Sequence, residues 1–584
     1  MSDQIKVDFD VPATMRDGTI LRANIFQPAE GGPYPIALTR TPYGKDFFSV
    51  SPTLDSIRLA RAGYIVVIQD IRGRLTSDGE WVAMSEVETL DGYDSVEWAA
   101  TLPNSSGKVG MFGLSYLGLT QWMAAKAQPP HLKAMIPFVT FADVRDGVSW
   151  RGGAMELGTT GNWNVGAVGL DIILKRYKNA SPQERIGALM ALVNEINQLR
   201  LKGYYSLPLK DFEPLRKLGL GKEVWEQIER PYDRELTAPA SIATSYDKVT
   251  VPTYNVGGWY DIFTNGTLQN FRAMRYEGST PEAQQAKVLI GPWSHVNYTN
   301  VVGEQDFGFA SALAFMNLQT DLTGLTQRWF DYWLKGIENG ITQEPPVKLF
   351  IMGANIWRDE QEWPLARTAY TPYYLHSDGS ANSFKGDGAL STEKPTHEPA
   401  DKFTYDPNNP VLTAGGNNLM NALFTPGVKN QTTTEERPDV LVYTTAPLNQ
   451  DTEVIGPIVV KLWASSDATD TDFVARLVDV HSDGFAQNLA DGIIRGRYRN
   501  GDTPELLEPG KAYEFTIDLW STANMFKAGH SIRLDVTSSN FPRWDRNLNT
   551  GAAFGTDSEG RPAHQTILHD AEHPSQVILP LIPR

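Results

Sequence analysis

The stretch Lys108-Val-Gly-Met-Phe-Gly-Leu-Ser-Tyr-Leu-Gly118 decides how the first part of this chain folds. A short apolar segment runs into Gly113, Ser115 follows, and a helical pattern rich in Ala, Leu and Met continues to Gln128. Strand, sharp turn and helix with a serine at the apex form a nucleophile elbow. The second glycine, Gly118, comes one residue later than in the Gly-x-Ser-x-Gly pattern. The competing interpretation is therefore an ordinary turn with a serine N-cap.

Bulk composition excludes several classes of function. A chain of 584 residues is too long for one hydrophobic core, so several domains are expected. A net charge of −17 argues against nucleic acid or an anionic membrane as the main partner. The absence of cysteine excludes a thiolate nucleophile and a cysteine metal site. The N-terminal residues contain no apolar segment, which predicts a soluble, cytoplasmic protein.

Alternating strand and helix patterns predict a doubly wound α/β sheet formed by residues 1–144 and 247–344. Residues 145–246 have no convincing strand pattern and are interpreted as an inserted helical cap over the strand ends. Short strands separated by turn residues dominate 345–584, which predicts a C-terminal all-β jelly roll.

A serine hydroxyl needs a neighbouring base, and histidine is suited to accept its proton near neutral pH. Only His131 and His295 lie in the α/β part of the chain. His131 precedes a predicted strand, at the edge of the sheet opposite the elbow. His295 follows the strand Lys287-Val-Leu-Ile-Gly291, on the same edge as Ser115, and is the better candidate.

An acidic residue must orient the imidazole, and α/β hydrolases place it between serine and histidine in chain order. Asp261 fits because it follows the predicted strand 251–256 at the carboxyl edge of the sheet. Asp247 precedes that strand and Asp171 lies in the cap, so both are weaker candidates.

Two hydrogen-bond donors are needed for a tetrahedral oxyanion. The backbone N–H of Tyr116, the residue after the serine, supplies one. The loop after the third predicted strand contains Tyr43, whose hydroxyl, neutral near pH 7, is a candidate for the other. Ordinary packing is the alternative role for Tyr43.

The chain resembles the cocaine esterase and X-Pro dipeptidyl-peptidase family of serine hydrolases. The matching segments run over almost the whole chain: Met15-Arg-Asp-Gly18, Arg40-Thr-Pro-Tyr43, Gln69-Asp-Ile-Arg-Gly73, Gly113-Leu-Ser-Tyr-Leu-Gly118, Gly257-Gly-Trp-Tyr-Asp261, Gly291-Pro-Trp-Ser-His295, Trp357-Arg-Asp-Glu360 and Ser538-Ser-Asn-Phe-Pro542. The resemblance implies the α/β-hydrolase domain, helical cap and jelly roll described above. It also implies that Ser115, Asp261 and His295 are a catalytic triad.

In such an enzyme, Tyr43 and Tyr116 would form the oxyanion hole, and the positions of Trp150, Trp163 and Phe263 match acyl-binding aromatics of the family. The resemblance implies a serine carboxylesterase for small-molecule esters, with aryl and benzoyl esters such as cocaine as candidate substrates. It requires neither a cofactor nor a metal, and it allows for a homodimer through the edge of the β domain.

Two other functions remain open. An amide-cleaving relative, such as an X-Pro dipeptidyl-peptidase, acylase or α-amino acid ester hydrolase, would need carboxylates for a substrate ammonium, and Asp143, Asp146 and Glu156 in the cap are candidates. Alternatively, the jelly roll binds carbohydrate and the hydrolase part is inert. Labelling of Ser115 by a fluorophosphonate separates an active hydrolase from such a binding protein.

Overall fold

A ten-stranded sheet forms the first part of the molecule in the computed structural model, which describes residues 4–49, 53–420 and 424–583. Its strands are β1 (Ile5–Thr14), β2 (Ile20–Pro28), β3 (Tyr34–Thr41), β4 (Ile65–Asp70), β5 (Ser105–Leu114), β6 (Leu132–Phe138), β9 (Tyr254–Tyr260), β10 (Lys287–Ser294), β13 (Val347–Ile351) and β14 (Ile356–Glu360). The spatial order is β1-β2-β4-β3-β5-β6-β9-β10-β13-β14. Strands β4 through β13 in this order pair in parallel, with antiparallel strands at both edges.

Helices cover both faces of this sheet, as in a doubly wound fold. They are α1 (Lys45–Phe48), α2 (Ser56–Arg61), α3 (Val87–Ala100), α4 (Tyr116–Lys126), α11 (Thr264–Glu277) and α12 (Leu322–Lys335). Residues of α3, α4 and α11 belong to one buried cluster, and residues of α2 and α12 to another on the opposite face. The prediction of a doubly wound α/β sheet is therefore confirmed.

A mainly helical insertion stands between β6 and β9. Its helices are α5 (Leu157–Asn162), α6 (Gly169–Arg176), α7 (Pro182–Leu199), α8 (Glu213–Leu218), α9 (Lys222–Glu229) and α10 (Arg234–Thr237), and a π-helical turn, Trp163–Val168, joins α5 to α6. A two-stranded sheet of β7 (Trp150–Arg151) and β8 (Ala154–Met155) precedes them. The cap has its own apolar core, which also includes Met420 and Phe541 from the C-terminal part.

The C-terminal part is rich in β-strands, and most of them form an eleven-stranded sheet. These strands are β15 (Ala369–His376), β16 (Ala389–Ser391), β17 (Asp401–Tyr405), β18 (Leu441–Thr444), β19 (Thr452–Ser466), β20 (Asp472–Val480), β21 (Ala486–Arg495), β22 (Tyr513–Phe526), β23 (Ser531–Thr537), β24 (Ala563–Leu568) and β25 (Gln576–Leu581). A short helix, α13 (Thr432–Glu435), and a hairpin of β11 (Val301–Val302) and β12 (Gln305–Asp306) lie outside both large sheets. The jelly-roll connectivity stays a prediction.

Two strands, β13 and β14, belong to a different sheet from the one expected. The sequence predicts a separate β domain over 345–584, but β13 pairs in parallel with β10 and β14 pairs with β13, so both extend the first sheet. Burial of the edge of β10 explains this arrangement, since an uncovered edge leaves backbone groups unpaired. In the described part of the chain, no helix has the length and apolar character needed to cross a membrane.

Candidate active site

Ser115 stands at a strained turn between β5 and α4. Its φ of 57° and ψ of −121° lie in a region that non-glycine residues rarely adopt. Two hydrogen bonds hold the turn: the Ser115 N–H donates to the Phe138 carbonyl at 2.8 Å, and the Thr140 hydroxyl donates to the Ser115 carbonyl at 2.9 Å. This backbone conformation directs the serine side chain away from the sheet, as a nucleophile elbow requires.

Gly118 explains the shifted glycine pattern. A Cβ atom at this position would lie 2.5 Å from the Cβ of Thr140, so helix α4 can approach the end of β6 only if residue 118 has no side chain. The strand before the serine is equally tight, since a Cβ at Gly113 would lie 2.6 Å from the Cβ of Leu117. The late glycine therefore performs the close-packing role that the elbow needs.

Two adjacent parallel strands carry the partners of the serine. Asp261 follows β9 and His295 follows β10, so both lie at the carboxyl edge of the sheet beside the elbow. Nε2 of His295 lies 2.9 Å from Oγ of Ser115, and Nδ1 lies 2.6 Å from Oδ2 of Asp261. With its proton on Nδ1, the neutral imidazole donates to the carboxylate and presents a free lone pair to the serine hydroxyl.

The surroundings fix the imidazole and the carboxylate. Asp261 is fully buried, and its second oxygen accepts the Phe263 N–H at 2.7 Å. The Phe263 ring meets the His295 ring edge-on, with centroids 5.1 Å apart and planes at 89°. The Tyr298 hydroxyl donates to the carbonyl of His295. These contacts leave the histidine little freedom to turn away from the serine.

Tyr43 reaches the site from the loop after β3. Its hydroxyl oxygen accepts the indole N–H of Trp163 at 3.0 Å. Burial raises the pKa of Tyr43, against the opposing effect of hydrogen bonds with Trp163 and Ser115. The phenol therefore stays protonated at neutral pH and can act as a donor next to the nucleophile.

Tyr116 contributes its backbone to the site. As the first residue of α4, its N–H belongs to the unpaired amino end of the helix. Its phenol points elsewhere: it donates to Oε1 of Glu88 at 2.9 Å and accepts the Met84 N–H at 3.1 Å. Only the amide of this tyrosine is thus available as a donor beside Ser115.

A cavity opens beside Ser115 and is walled by the hydrolase region, the cap and the C-terminal part. Trp163 and Phe263, two of the three predicted acyl-binding aromatics, line it. Trp150 is not brought into this group: it is 1% exposed and packs against Phe554, with ring centroids 4.8 Å apart.

Several residues that line the cavity escaped the sequence-based prediction. Leu419 comes from the C-terminal part, between β17 and β18, and Phe141 follows β6. Asn164 and Glu223 come from two separate parts of the cap. No local pattern marks these residues, since only the packing of the three parts brings them beside the serine.

The carboxylates considered for a substrate ammonium already have partners. The closest are the Arg145 backbone N–H at 2.9 Å for Asp143, the Arg145 guanidinium at 2.7 Å for Asp146, and the Trp544 indole at 2.8 Å for Glu156. None of these three lines the cavity beside Ser115. His131, the weaker candidate for the base, forms a hydrogen bond with Glu97 at 2.7 Å.

A group of possible metal ligands lies in the C-terminal part, apart from the serine. The ligand atoms of Asp479, His481 and His530 all lie within 4.8 Å of one another. Nδ1 of His530 lies 2.8 Å from Oδ1 of Asp479, so a hydrogen bond explains why these two side chains lie close together.

Comparison with protein-family models gives two matches. Residues 17–297 match the X-Pro dipeptidyl-peptidase (S15 family) model, and residues 339–578 match the X-Pro dipeptidyl-peptidase C-terminal non-catalytic domain. The chain is 37% identical over 584 residues to the cocaine esterase of Rhodococcus sp. (strain MB1 Bresler), covering 98% of each chain.

Solved structures share the whole architecture. An aminopeptidase from a marine sediment archaeon, Thaumarchaeota archaeon, is 25% identical with a TM-score of 0.77, over 99% of this chain and 96% of that one. A selenomethionine-labelled α-amino acid ester hydrolase is 24% identical with a TM-score of 0.80, over 100% of this chain and 98% of that one. The second likeness bears on the fold alone.

Proposed function

Since the chain belongs to the X-Pro dipeptidyl-peptidase (S15) family and is a serine hydrolase acting on ester bonds, we propose that Ser115, His295 and Asp261 are its catalytic triad. The observation that carries the proposal is the continuous hydrogen-bonded path from the serine hydroxyl through the imidazole to the carboxylate. A hydroxyl needs such a base to attack a carbonyl carbon.

The mechanism is acyl transfer in two halves. Ser115 Oγ attacks the ester carbonyl while Nε2 of His295 accepts its proton, and Asp261 stabilises the imidazolium that forms. The C–O bond of the tetrahedral intermediate then breaks, and His295 gives its proton to the departing alcohol. Water attacks the acyl-enzyme with the same base and releases the acid.

The oxyanion is stabilised by two donors of different kinds. The Tyr43 hydroxyl and the Tyr116 N–H both adjoin Ser115, and the negative charge develops between them. Removal of one such donor typically lowers the rate by about 100- to 1000-fold. The positive end of the α4 dipole adds to this stabilisation.

Esters with an aromatic acyl group are the proposed substrates. Trp163, Phe263 and Phe141 present apolar ring surface inside the cavity, and the Rhodococcus relative carries the name cocaine esterase. In a series of p-nitrophenyl esters from acetyl to benzoyl, kcat/KM is expected to be highest for benzoyl. A steady fall in kcat/KM with increasing acyl size would contradict this preference.

Replacement of the serine tests the triad. The variant Ser115→Ala is expected to lose p-nitrophenyl ester hydrolysis by a factor on the order of 10⁵ to 10⁶. Ser279→Ala, which changes a serine in the loop before β10, is the matched control and should retain the wild-type rate. Wild-type turnover by Ser115→Ala would refute the assignment.

Amide cleavage after proline is the second candidate, because the matching family model is named for that activity. The cap carboxylates proposed for a substrate ammonium are engaged by other residues, which disfavours it. Measured side by side, p-nitrophenyl esters should exceed X-Pro p-nitroanilides in kcat/KM by several orders of magnitude. The reverse order would favour the peptidase.

A further inference from the structure

Glu223 places a carboxylate in the wall of the cavity that contains Ser115. It is the second residue of α9, and it is partly buried beside the fully buried Val224. The rest of the wall is largely apolar and aromatic, with Trp163, Phe263 and Leu419 among its members. A carboxylate in such surroundings loses much of its hydration, which costs free energy unless a partner compensates for it.

The protein compensates for this cost by hydrogen bonds but not by a counter-charge. The backbone N–H of Glu223 and the Asn164 side chain form hydrogen bonds with the carboxylate, while within the described residues no lysine or arginine forms an ion pair with it. Burial raises the pKa of Glu223, and the nearby charge of Glu226 raises it further. Glu223 lines the cavity beside Ser115, and none of the described residues that line it with Glu223 is a lysine or an arginine.

Three basic residues close to this point have other partners. The guanidinium of Arg74 lies 3.3 Å from a carboxylate oxygen of Asp171. Lys175 donates to the Gly73 carbonyl at 2.7 Å, and Arg176 donates to the Leu218 carbonyl at 2.6 Å. None of these three cations forms an ion pair with Glu223. Lys222, the preceding residue of α9, is exposed and lines a second, solvent-connected cavity rather than the one beside Ser115.

The position of Glu223 indicates which part of a substrate it meets. The second, solvent-connected cavity, the outer cavity, adjoins the inner cavity beside Ser115, and the two share the residues Met84, Asn164, Glu223 and Gln227. Trp163 and Phe263 line only the inner cavity, next to the nucleophile, where the acyl group is expected. The leaving alcohol then extends towards the outer cavity and passes the carboxylate.

We propose that Glu223 binds a positively charged nitrogen on the alcohol portion of the substrate, so that the enzyme prefers esters of amino alcohols. This inference rests on the proposed esterase function and adds a specificity-determining residue to it. The ammonium group supplies the counter-charge that the cavity lacks, and the carboxylate selects it over an uncharged group of the same shape.

A pair of isosteric esters tests the proposal on the whole enzyme. Benzoylcholine carries a trimethylammonium group, and 3,3-dimethylbutyl benzoate replaces that nitrogen by carbon. Wild-type kcat/KM should favour benzoylcholine by about ten- to one-hundredfold. In Glu223→Gln this preference should disappear through a loss on the charged ester alone. Glu229→Gln, an exposed change on the same helix, is the control and should keep the wild-type ratio.

Three results would overturn the assignment: an unchanged ratio in Glu223→Gln, an equal loss on both esters, or a selective loss on glycyl-prolyl p-nitroanilide, whose ammonium lies on the acyl side. Hydrolysis of the neutral ester distinguishes a failure of the Glu223 assignment from a failure of the proposed esterase function. If the wild type fails to hydrolyse 3,3-dimethylbutyl benzoate and simple aryl esters, the esterase itself is refuted. If it hydrolyses them with no preference for charge, only the role of Glu223 is lost.

Discussion

The indole N–H of Trp163 donates to the hydroxyl oxygen of Tyr43 at 3.0 Å. An oxygen that accepts this bond keeps its own proton for another acceptor, so the indole turns the phenol into a directed donor. Trp163 belongs to a π-helical turn of the cap, a feature often found at functional sites. The cap thus positions the Tyr43 hydroxyl, a member of the proposed oxyanion hole, as well as forming part of the cavity wall.

Removal of this hydrogen bond should affect catalysis through Tyr43. Trp163→Phe is expected to lower kcat by about three- to tenfold, the cost of one neutral hydrogen bond. In a Tyr43→Phe background the same change should have no such effect on kcat, because the oriented hydroxyl is already gone. Equal losses in both backgrounds, measured with p-nitrophenyl benzoate, would show that Trp163 acts on the substrate alone.

Neutralising Asp261, the carboxylate of the proposed triad, should remove most activity while preserving the fold. Asp261→Asn turns an acceptor of the His295 Nδ1 proton into a possible donor and favours the wrong tautomer, so kcat should fall by about 10⁴-fold at neutral pH. Asp247→Asn, at an exposed position before β9, is the control and should remain active. More than a tenth of wild-type kcat in Asp261→Asn would argue against the triad.

A methyl group at the displaced glycine should strain the elbow. Gly118→Ala would place its Cβ 2.5 Å from the Cβ of Thr140 and is expected to destabilise the protein by about 1–3 kcal/mol. Gly187→Ala in α7 is the matched control, because no atom lies within 4 Å of its added Cβ, and it should stabilise by about 0.5–1 kcal/mol. Urea denaturation measures both changes, and equal effects would contradict the packing argument.

The sequence predicted the parts of the site that depend on local pattern and chain order. Ser115 follows an apolar strand, and Asp261 and His295 each follow one, so a parallel sheet places all three at one edge. The local sequence pattern did not assign Val347–Ile351 to the first sheet, because a strand pattern does not specify which strand will pair with it. The sheet that such a strand joins depends on which sheet edge would otherwise keep unpaired backbone groups.

The cavity could be predicted only in part. Phe263 lies two residues after Asp261 and therefore stays close to the site. Trp150 is also aromatic, but its side chain is buried in the core of the cap, where the rings of Phe554 and Tyr232 pack against it. Glu223 carried no signal, because a charged residue near the start of a short helix is ordinarily solvated. Its importance depends on tertiary packing.

A buried histidine in the C-terminal part should make stability depend on pH. His569 is 1% exposed, and its Nε2 lies 3.0 Å from Oδ2 of Asp401. Burial opposes a charge on the ring, but the hydrogen bond and charge of Asp401, with Glu398, raise the pKa of His569 above 6.5. The resulting stabilisation is full below pH 6.5 and is lost as pH rises through the raised folded-state pKa.

The variant His569→Gln tests the predicted direction of this pH dependence of stability. The difference in unfolding free energy between wild type and variant should be larger at about pH 5.5 than at about pH 9. His564→Gln, which removes an exposed imidazole from the preceding strand, controls for general effects of losing a histidine. A difference that stays constant or grows with rising pH would contradict the charged pair.

Trapping the acyl-enzyme tests the central claim most directly. Wild-type protein mixed with p-nitrophenyl benzoate and quenched in acid during turnover should carry one benzoyl group, and peptide mass spectrometry should locate it on Ser115. The adduct should be missing from Ser115→Ala. A benzoyl group on any other residue, or rapid turnover with no acyl group on Ser115, would contradict the account.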